Sequence, residues 1–278
     1  MRFELKLLVL ALAAACSDNK THPRVYGEYT GADPAPLACV PNLDGRIDST
    51  EIAAAIDTPI SYLVSPPGVE RPVDVVGVPI GDGKLRWNYA TDYADDQLAK
   101  IVPQEITGKW YEASFPPSAF VTPFDAAGRV ENVVTQDEQA LWLLGLASSE
   151  SDPPEGRTLV VYQAPVALLR FPIEPGGAFV STGVVENGLL RGLPYAGKDV
   201  YDVRVDGMGE LVLPALVFTQ VHRVRTHATV QPSVGASTSR RQVSFFFECF
   251  AEVARATSRA DEPDENFGTA AELRRIGF

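Results

Sequence analysis

The alternation of apolar with polar side chains constrains the fold of this 278-residue chain more than any other feature. Leu85, Trp87 and Tyr89 are separated by single polar residues, and residues 201–205 repeat the pattern. Because successive side chains of a β-strand point to opposite faces of a sheet, each such segment presents one face to a core and one to water. The 22 prolines and 22 glycines add frequent turns. The sequence predicts a mostly β protein, either an antiparallel β-sandwich or a curved, half-barrel-like sheet, with a few short helices.

Two segments carry more specific β signals. Asp206, Gly207 and Gly209 separate apolar segments at 201–205 and 211–213, which predicts a hairpin because a tight turn needs residues that tolerate positive φ. Residues 242–257 alternate without a break, which predicts one long central strand with Phe residues on both faces.

Short helices are expected at three places. Asp48 and Glu51 have capping-box spacing before an apolar run at 52–56, and Thr269 and Glu272 repeat that spacing near the C-terminus. Residues 93–101 form the third candidate. The acidic run that begins near residue 259 predicts a solvated linker before the terminal helix, because so many carboxylates are costly to bury.

The N-terminus carries a short apolar run at residues 7–15 that ends at Cys16. At about 1.5 Å per helical residue the run covers roughly 14 Å, less than half of a hydrocarbon core near 30 Å. It is therefore too short to span a bilayer. With a basic head before it and small residues at its end, it predicts a signal peptide over residues 1–15.

The segment Leu12-Ala13-Ala14-Ala15-Cys16 resembles the lipobox of bacterial lipoproteins, although Ala13 replaces the Leu that the family prefers. The resemblance implies that Cys16 becomes the lipidated first residue of the mature protein, so the membrane is a partner through the lipid anchor. Ser17 directly after the cysteine implies sorting to the outer membrane of the cell envelope. Residues 16–38, polar and rich in turn formers, are then a lipid-anchored tether.

The charge of the mature chain excludes some partners. Removal of residues 1–15 takes away Arg2, Lys6 and Glu4, which leaves 22 basic and 35 acidic residues and a formal charge of −13. Binding to nucleic acid or to an anionic membrane surface draws its affinity from Lys and Arg side chains near phosphates. Neither is expected here.

The chain has three cysteines, an odd number that cannot all be paired within one chain. If Cys16 carries lipid, Cys39 and Cys249 remain as a pair that could form a disulfide in an oxidising compartment. The alternative is two separate thiols, with Cys249 buried as a small apolar residue.

The strongest ligand-binding pattern lies in residues 40–51, which resemble the calcium loop of an EF-hand. Gly45 occupies the position of the sharp turn, but Val40 stands where the motif calls for Asp. The candidate calcium ligands are Asn42, Asp44, the carbonyl of Arg46, Asp48 and Glu51. The alternative needs no ion, because a turn at Asp44 and a capping box from Asp48 to Glu51 explain the same residues.

Catalytic motifs are missing from the sequence, and no catalytic residue is predicted. His222 and His227 are five residues apart, so in a strand they point to opposite faces and cannot chelate one ion. Residues 192–198 have the glycine and lysine spacing of a phosphate loop, but Asp199 replaces the Ser or Thr that holds magnesium.

The chain also resembles uncharacterised, β-rich bacterial envelope lipoproteins in two segments, residues 39–45 and residues 248–255. The resemblance links Cys39 with Cys249 and supplies no activity. It favours a non-enzymatic, lipid-anchored binding or structural module that meets an unknown envelope protein. The alternative is a carrier whose Phe245, Phe246 and Phe247 line a cavity for a small hydrophobic ligand.

The predicted organisation has five parts. A signal peptide occupies 1–15 and the tether 16–38, and the EF-hand-like loop with its short helix occupies 39–57. A β-domain follows over 58–258, and an acidic linker with a C-terminal helix ends the chain over 259–278.

Overall fold

The computed structural model describes residues 39–125 and 127–277. The predicted signal peptide, the lipidated Cys16 and the tether over 16–38 lie outside the described residues. The described part contains two short 3₁₀ helices, Ser49–Ile52 and Glu112–Ser114. Its strands are β1 (Ile60–Val64), β2 (Arg71–Pro72), β3 (Val78–Gly81), β4 (Lys84–Asn88), β5 (Gln97–Ile101), β6 (Gln104–Glu105), β7 (Phe120–Pro123), β8 (Val130–Gln136), β9 (Ala140–Ser148), β10 (Leu159–Arg170), β11 (Ala178–Leu190), β12 (Leu193–Val212), β13 (Val217–Pro232), β14 (Thr238–Phe247), β15 (Ala251–Ala260), β16 (Thr269–Ala270) and β17 (Glu272–Ile276).

One curved sheet that does not close dominates the fold, which confirms the mostly β prediction. Its strands follow the order β5-β1-β17-β15-β14-β13-β12-β11-β10-β9-β8-β7-β6, and all neighbours in this path are antiparallel. From β6 to β15 the strands are neighbours in the order in which they occur in the chain, so short connections suffice. The two edge strands are also consecutive, because β5 ends at Ile101 and β6 begins at Gln104.

The hairpin predicted at Asp206 and Gly207 is wrong. Strand β12 runs through both residues, and its register with β13 shifts between Val205 and Gly207 and again between Gly209 and Leu211. Gly209 instead allows a close approach, since a Cβ atom there would lie 1.8 Å from the carbonyl oxygen of Leu85 in β4. The absence of a side chain lets β4 pair in parallel with the end of β12.

The single long strand predicted over 242–257 is a hairpin instead. Strand β14 ends at Phe247, and β15 begins at Ala251 and returns beside it. Cys249 lies in the turn with a φ of +65°, a conformation that the alternation of side chains does not reveal. Apolar alternation indicates strands but does not say where the chain reverses, unless a turn residue such as Gly or Pro marks the place.

The predicted helices are wrong in type or length. The C-terminal residues Glu272–Ile276 form β17 between β15 and β1, and Gln97–Ile101 form the edge strand β5. Ser49–Ile52 makes only one 3₁₀ turn. Helices this short are marginal alone, and a sheet edge offers a full set of backbone partners to the same residues. The described residues contain no helix with the length and apolar character needed to cross a membrane.

Apolar clusters cover both faces of the central strands. Phe245 is fully buried in one cluster, where its ring lies 4.9 Å from that of Trp87. Phe246, the next residue, packs into a second cluster with Val224. Phe247 returns to the first cluster. The three rings predicted to line a carrier cavity are therefore packed into cores on opposite faces of the sheet.

Candidate functional site

The first described segment, residues 39–52, forms what we call the strap, which is attached to the sheet by a disulfide between Cys39 and Cys249. The two Cα atoms are 5.5 Å apart, and the residues are separated by 210 positions in the chain. Of the two alternatives for these cysteines, a disulfide or two separate thiols, the structure has the disulfide. The bond joins the start of the described protein to the turn between β14 and β15.

The local shape of the strap follows from its own polar side chains. Asn42 Oδ1 accepts a hydrogen bond from the main-chain N–H of Asp44, and Asp44 Oδ1 accepts one from Arg46. Such bonds from Asn and Asp stabilise turns, and Gly45 supplies the positive φ of +89° that the turn needs. Glu51 then accepts a bond from the N–H of Asp48 at 2.7 Å, which starts the 3₁₀ helix.

The residues predicted as calcium ligands are brought together but bond to one another. Arg46 pairs with Asp48 at 2.7 Å, and Asn42 Nδ2 donates to Glu51 Oε1 at 2.9 Å. Burial raises the pKa of Glu51, and the charge of Glu248 adds to this shift. Within the described residues, no group of three or more His, Cys, Asp and Glu side chains is placed to hold a metal ion. The geometry matches the turn and capping box that need no ion, and gives the calcium prediction no support.

Two buried polar side chains of the sheet hold the strap. Glu248 is 2% exposed, and its Oε2 accepts hydrogen bonds from the main-chain N–H groups of Asn42 at 2.6 Å and Leu43 at 2.9 Å. His222 is fully buried, with Nε2 at 2.9 Å from the carbonyl oxygen of Gly45. Because a carbonyl only accepts, His222 Nε2 carries the proton in this contact. Burial lowers the pKa of His222 and favours this neutral form.

Further main-chain contacts follow along the strap. Ile47 forms a β-bridge with Ile173 through bonds of 3.0 and 2.8 Å. Gln136 Nε2 donates to the carbonyl oxygen of Ser49 at 2.7 Å. The N–H of Cys249 donates to the carbonyl oxygen of Glu51 at 2.8 Å. The sheet therefore provides partners at intervals along nearly the whole strap.

Two aliphatic side chains anchor the strap in a core. Ile47 is fully buried and Ile52 is 8% exposed. The buried residues around them are Leu169, Ile173, Val203, Val205, Val224 and Phe246. Burying such side chains is worth about 1.5–3 kcal/mol each. The strap thus belongs to the folded body, although its sequence resembles a surface loop.

Sequence reasoning missed a second polar cluster, around Asp199. Tyr162 donates a hydrogen bond of 2.5 Å to Asp199 Oδ2, while Oδ1 has no partner among the described residues. Burial raises the pKa of this carboxyl group. Asp199 follows the glycine and lysine pattern at 192–198, which the structure places at the start of β12 instead of in a phosphate loop. Asp199 lies on the same face of β12 as the buried Val203 and Val205, and this alternation is the sequence signal that could have indicated its burial.

The two histidines of β13 lie in different surroundings. His227 is part of β13 and lies opposite Arg241 of β14, while His222 holds the strap. An open groove beside the middle of β11, the first part of β12 and the end of β13 is lined by Val184, Glu186, Lys198 and Gln231, among others. It is shallow and contains neither histidine nor cysteine.

Comparison with known proteins adds no family or relative. No protein-family model, no curated protein and no solved structure matches the chain.

Proposed function

We propose that the protein is a non-enzymatic, lipid-anchored module of the cell envelope, attached through acyl groups on Cys16 and acting in binding or as a structural element. The lipobox-like segment before Cys16 supports the anchor. A disulfide between the two remaining cysteines supports an oxidising compartment, because such bonds persist mainly in exported proteins. Outer-membrane sorting, implied by Ser17, is part of the proposal.

The observation that carries the proposal is the covalent attachment of the strap to the sheet. Cys39, the first residue of the strap, is bonded to Cys249 in the turn between the two strands β14 and β15. Any pull on the chain before Cys39 therefore acts on the turn between two interior strands of the sheet, instead of unwinding the strap from its end. A domain that works while tied to a membrane gains from such an attachment.

The contacts made by the buried polar and aromatic side chains favour a non-enzymatic role. The buried Glu248 and His222 are engaged with strap main-chain groups, so neither is presented to a substrate. The buried rings of Phe245 and Phe247 fill a core, which leaves the carrier alternative without a lining made from these residues. A filled core with a stapled N-terminal segment suits a rigid module.

The anchor is tested by expressing the full chain in a bacterium that processes lipoproteins and measuring the mass of the membrane-bound product. We expect cleavage after Ala15 and acyl groups on Cys16. Cys16→Ser should leave the protein out of the membrane fraction, whereas the matched control Ser17→Ala should keep it there. An unprocessed chain with Met1 intact, in the aqueous cytoplasmic fraction, would contradict the proposal.

A further inference from the structure

Within the described residues, every hydrogen bond between the strap and the rest of the protein uses a main-chain atom of the strap. The N–H groups of Asn42 and Leu43 donate to Glu248, and the carbonyl of Gly45 accepts from His222. Ile47 uses both its N–H and its carbonyl, and the carbonyl oxygens of Ser49 and Glu51 complete the set. Contacts of this kind do not depend on which polar side chains the strap carries.

The polar side chains of the strap bond instead within the strap. Arg46 pairs with Asp48, and Asn42 donates to Glu51. The only side chains that the sheet selects by packing are the aliphatic Ile47 and Ile52. The surface under the strap therefore recognises a main-chain path with two aliphatic anchors, and little else.

We propose that this surface is a peptide-binding groove whose resident ligand is the chain's own strap, with the disulfide as its latch. The groove is formed by Glu248, His222, Ile173, Gln136 and the apolar cluster around Val224. Its ligand class is a short peptide with a glycine turn, an aliphatic residue two positions later and a second aliphatic residue five positions after that. This inference does not depend on the lipid anchor.

The groove needs an occupant for a physical reason. A carboxylate as buried as Glu248 is costly unless it accepts hydrogen bonds, and the strap supplies two N–H donors to it. His222 is fully buried, and its Nδ1 has no partner among the described residues. When the strap leaves, both groups require another partner, and a second peptide main chain offers the same donors and acceptors.

The latch opens by thiol–disulfide exchange with a dithiol reductant. A thiolate of the reductant attacks one sulfur of the Cys39–Cys249 bond, and the mixed disulfide is then displaced by the second thiol of the reductant. The two protons of the dithiol end on Cys39 and Cys249, and the reductant becomes a disulfide. The strap is then held only by hydrogen bonds and apolar packing, which a second peptide can replace.

The test uses the full chain with Cys16→Ser and Cys39→Ser, in which Cys249 is the only remaining thiol. A synthetic peptide of residues 39–52, with its cysteine, is added in a glutathione redox buffer, and the mixed disulfide with Cys249 is measured by mass. We expect the peptide to displace the internal strap and to bond to Cys249. The same peptide with Ile47→Asp should give about 30-fold less adduct at equal concentration, because the buried anchor is lost.

Two controls separate groove binding from thiol reactivity. A peptide with Arg46→Gln should react as well as the original, since the guanidinium of Arg46 pairs with Asp48, inside the strap, and makes no hydrogen bond to the described residues of the groove. Glu248→Gln in the full chain should lower the yield with both peptides. Equal yields from the original and the Ile47→Asp peptides would overturn the groove, and so would the absence of any adduct.

A second measurement needs no variant. Hydrogen exchange of the Asn42, Leu43 and Ile47 amides is compared in the natural chain before and after treatment with a dithiol. We expect exchange at these amides to become at least about tenfold faster on reduction, while the centre of β12 stays protected. Unchanged protection of the strap amides would overturn the role of the disulfide as a latch.

Discussion

The carboxylate of Glu248 accepts a hydrogen bond of 2.6 Å from the main-chain N–H of Asn42, a residue 206 positions earlier in the chain. The same oxygen accepts a second bond from Leu43. Glu248 is also the neighbour of Cys249, so the buried carboxylate and the disulfide hold the strap at the same turn. The strap is thereby part of the core on which the stability of the sheet depends.

Replacement of Glu248 should destabilise the protein through the strap. Glu248→Ala leaves the N–H groups of Asn42 and Leu43 without their acceptor, and we expect the free energy of unfolding to fall by about 3 kcal/mol. Urea denaturation followed by circular dichroism measures the change. Glu138→Gln, at an exposed position, is the control and should leave stability within about 0.5 kcal/mol. A Glu248→Ala protein as stable as the control would contradict the structural role of the carboxylate.

Removal of the disulfide should also lower stability, because the bond closes a long loop in the unfolded chain. With Cys39 and Cys249 separated by 210 positions, Cys39→Ser combined with Cys249→Ser should cost about 3–5 kcal/mol. Denaturation of the variant and of the oxidised protein provides the comparison. The mass of the purified oxidised protein should rise by about 2 Da on reduction, as the bond takes up two hydrogens. No mass change on reduction would show that the bond does not form.

The pH dependence of stability should change when Asp199 is replaced. Burial raises the pKa of this carboxyl group above its ordinary value of 3.8. A carboxyl with a raised pKa favours folding while it is protonated, and this contribution is lost as the pH rises from the unfolded pKa through the folded one. Asp199→Asn keeps a neutral side chain at every pH. We therefore expect the stability of Asp199→Asn relative to the natural protein to increase between pH 4 and pH 7.

Denaturation of both proteins at the two pH values gives this difference directly. The natural protein is the reference for the variant at each pH, so the effects of pH on groups common to both proteins cancel. Tyr162 can still donate to the Asn side-chain oxygen, which limits the structural disturbance. A difference in stability that stays constant, or that shrinks as the pH rises, would show that Asp199 ionises at no cost to folding.

A methyl group at position 209 should break the contact between β12 and β4. The new Cβ of Gly209→Ala would meet the carbonyl oxygen of Leu85 at 1.8 Å, so one of the two strands must move. We expect a loss of about 2–3 kcal/mol in the free energy of unfolding. Gly268→Ala is a matched control, since nothing lies within 4 Å of its new Cβ. Thermal unfolding of both variants measures the effect, and equal midpoints would refute the close approach.

The sequence indicated which segments form strands more reliably than it indicated how those strands are connected. Alternation at residues 201–205 correctly indicated a strand, but Gly207 and Gly209 suggested a turn where β12 continues. The two glycines serve a register shift and the approach of Leu85, both of which depend on partners distant in the chain. At the C-terminus, capping-box spacing at Thr269 and Glu272 suggested a helix, whereas β15 and β1 offer sheet partners to Glu272–Ile276.

In the candidate site, too, contacts between near neighbours in the chain were predictable and contacts between distant residues were not. The turn at Asp44 and the cap from Asp48 to Glu51 were predictable, because these contacts join residues two or three positions apart. The role of Glu248 was not, since its partners Asn42 and Leu43 are more than 200 positions away. The pairing of Cys39 with Cys249 was one of two alternatives from the cysteine count alone.

By itself, the sequence determined the β class of this protein, the pattern of side chains on each strand and the local turns of the strap. These properties follow from the period of two along an extended chain and from hydrogen bonds between near neighbours. Only the tertiary structure decided the strand order, the reversal at Cys249 and the burial of Glu248 and His222 beneath the strap. The burial of Glu248 and His222 and the pairing of β17 with β1 depend on contacts between residues far apart in the chain, whose free energy is realised only when the whole sheet has formed.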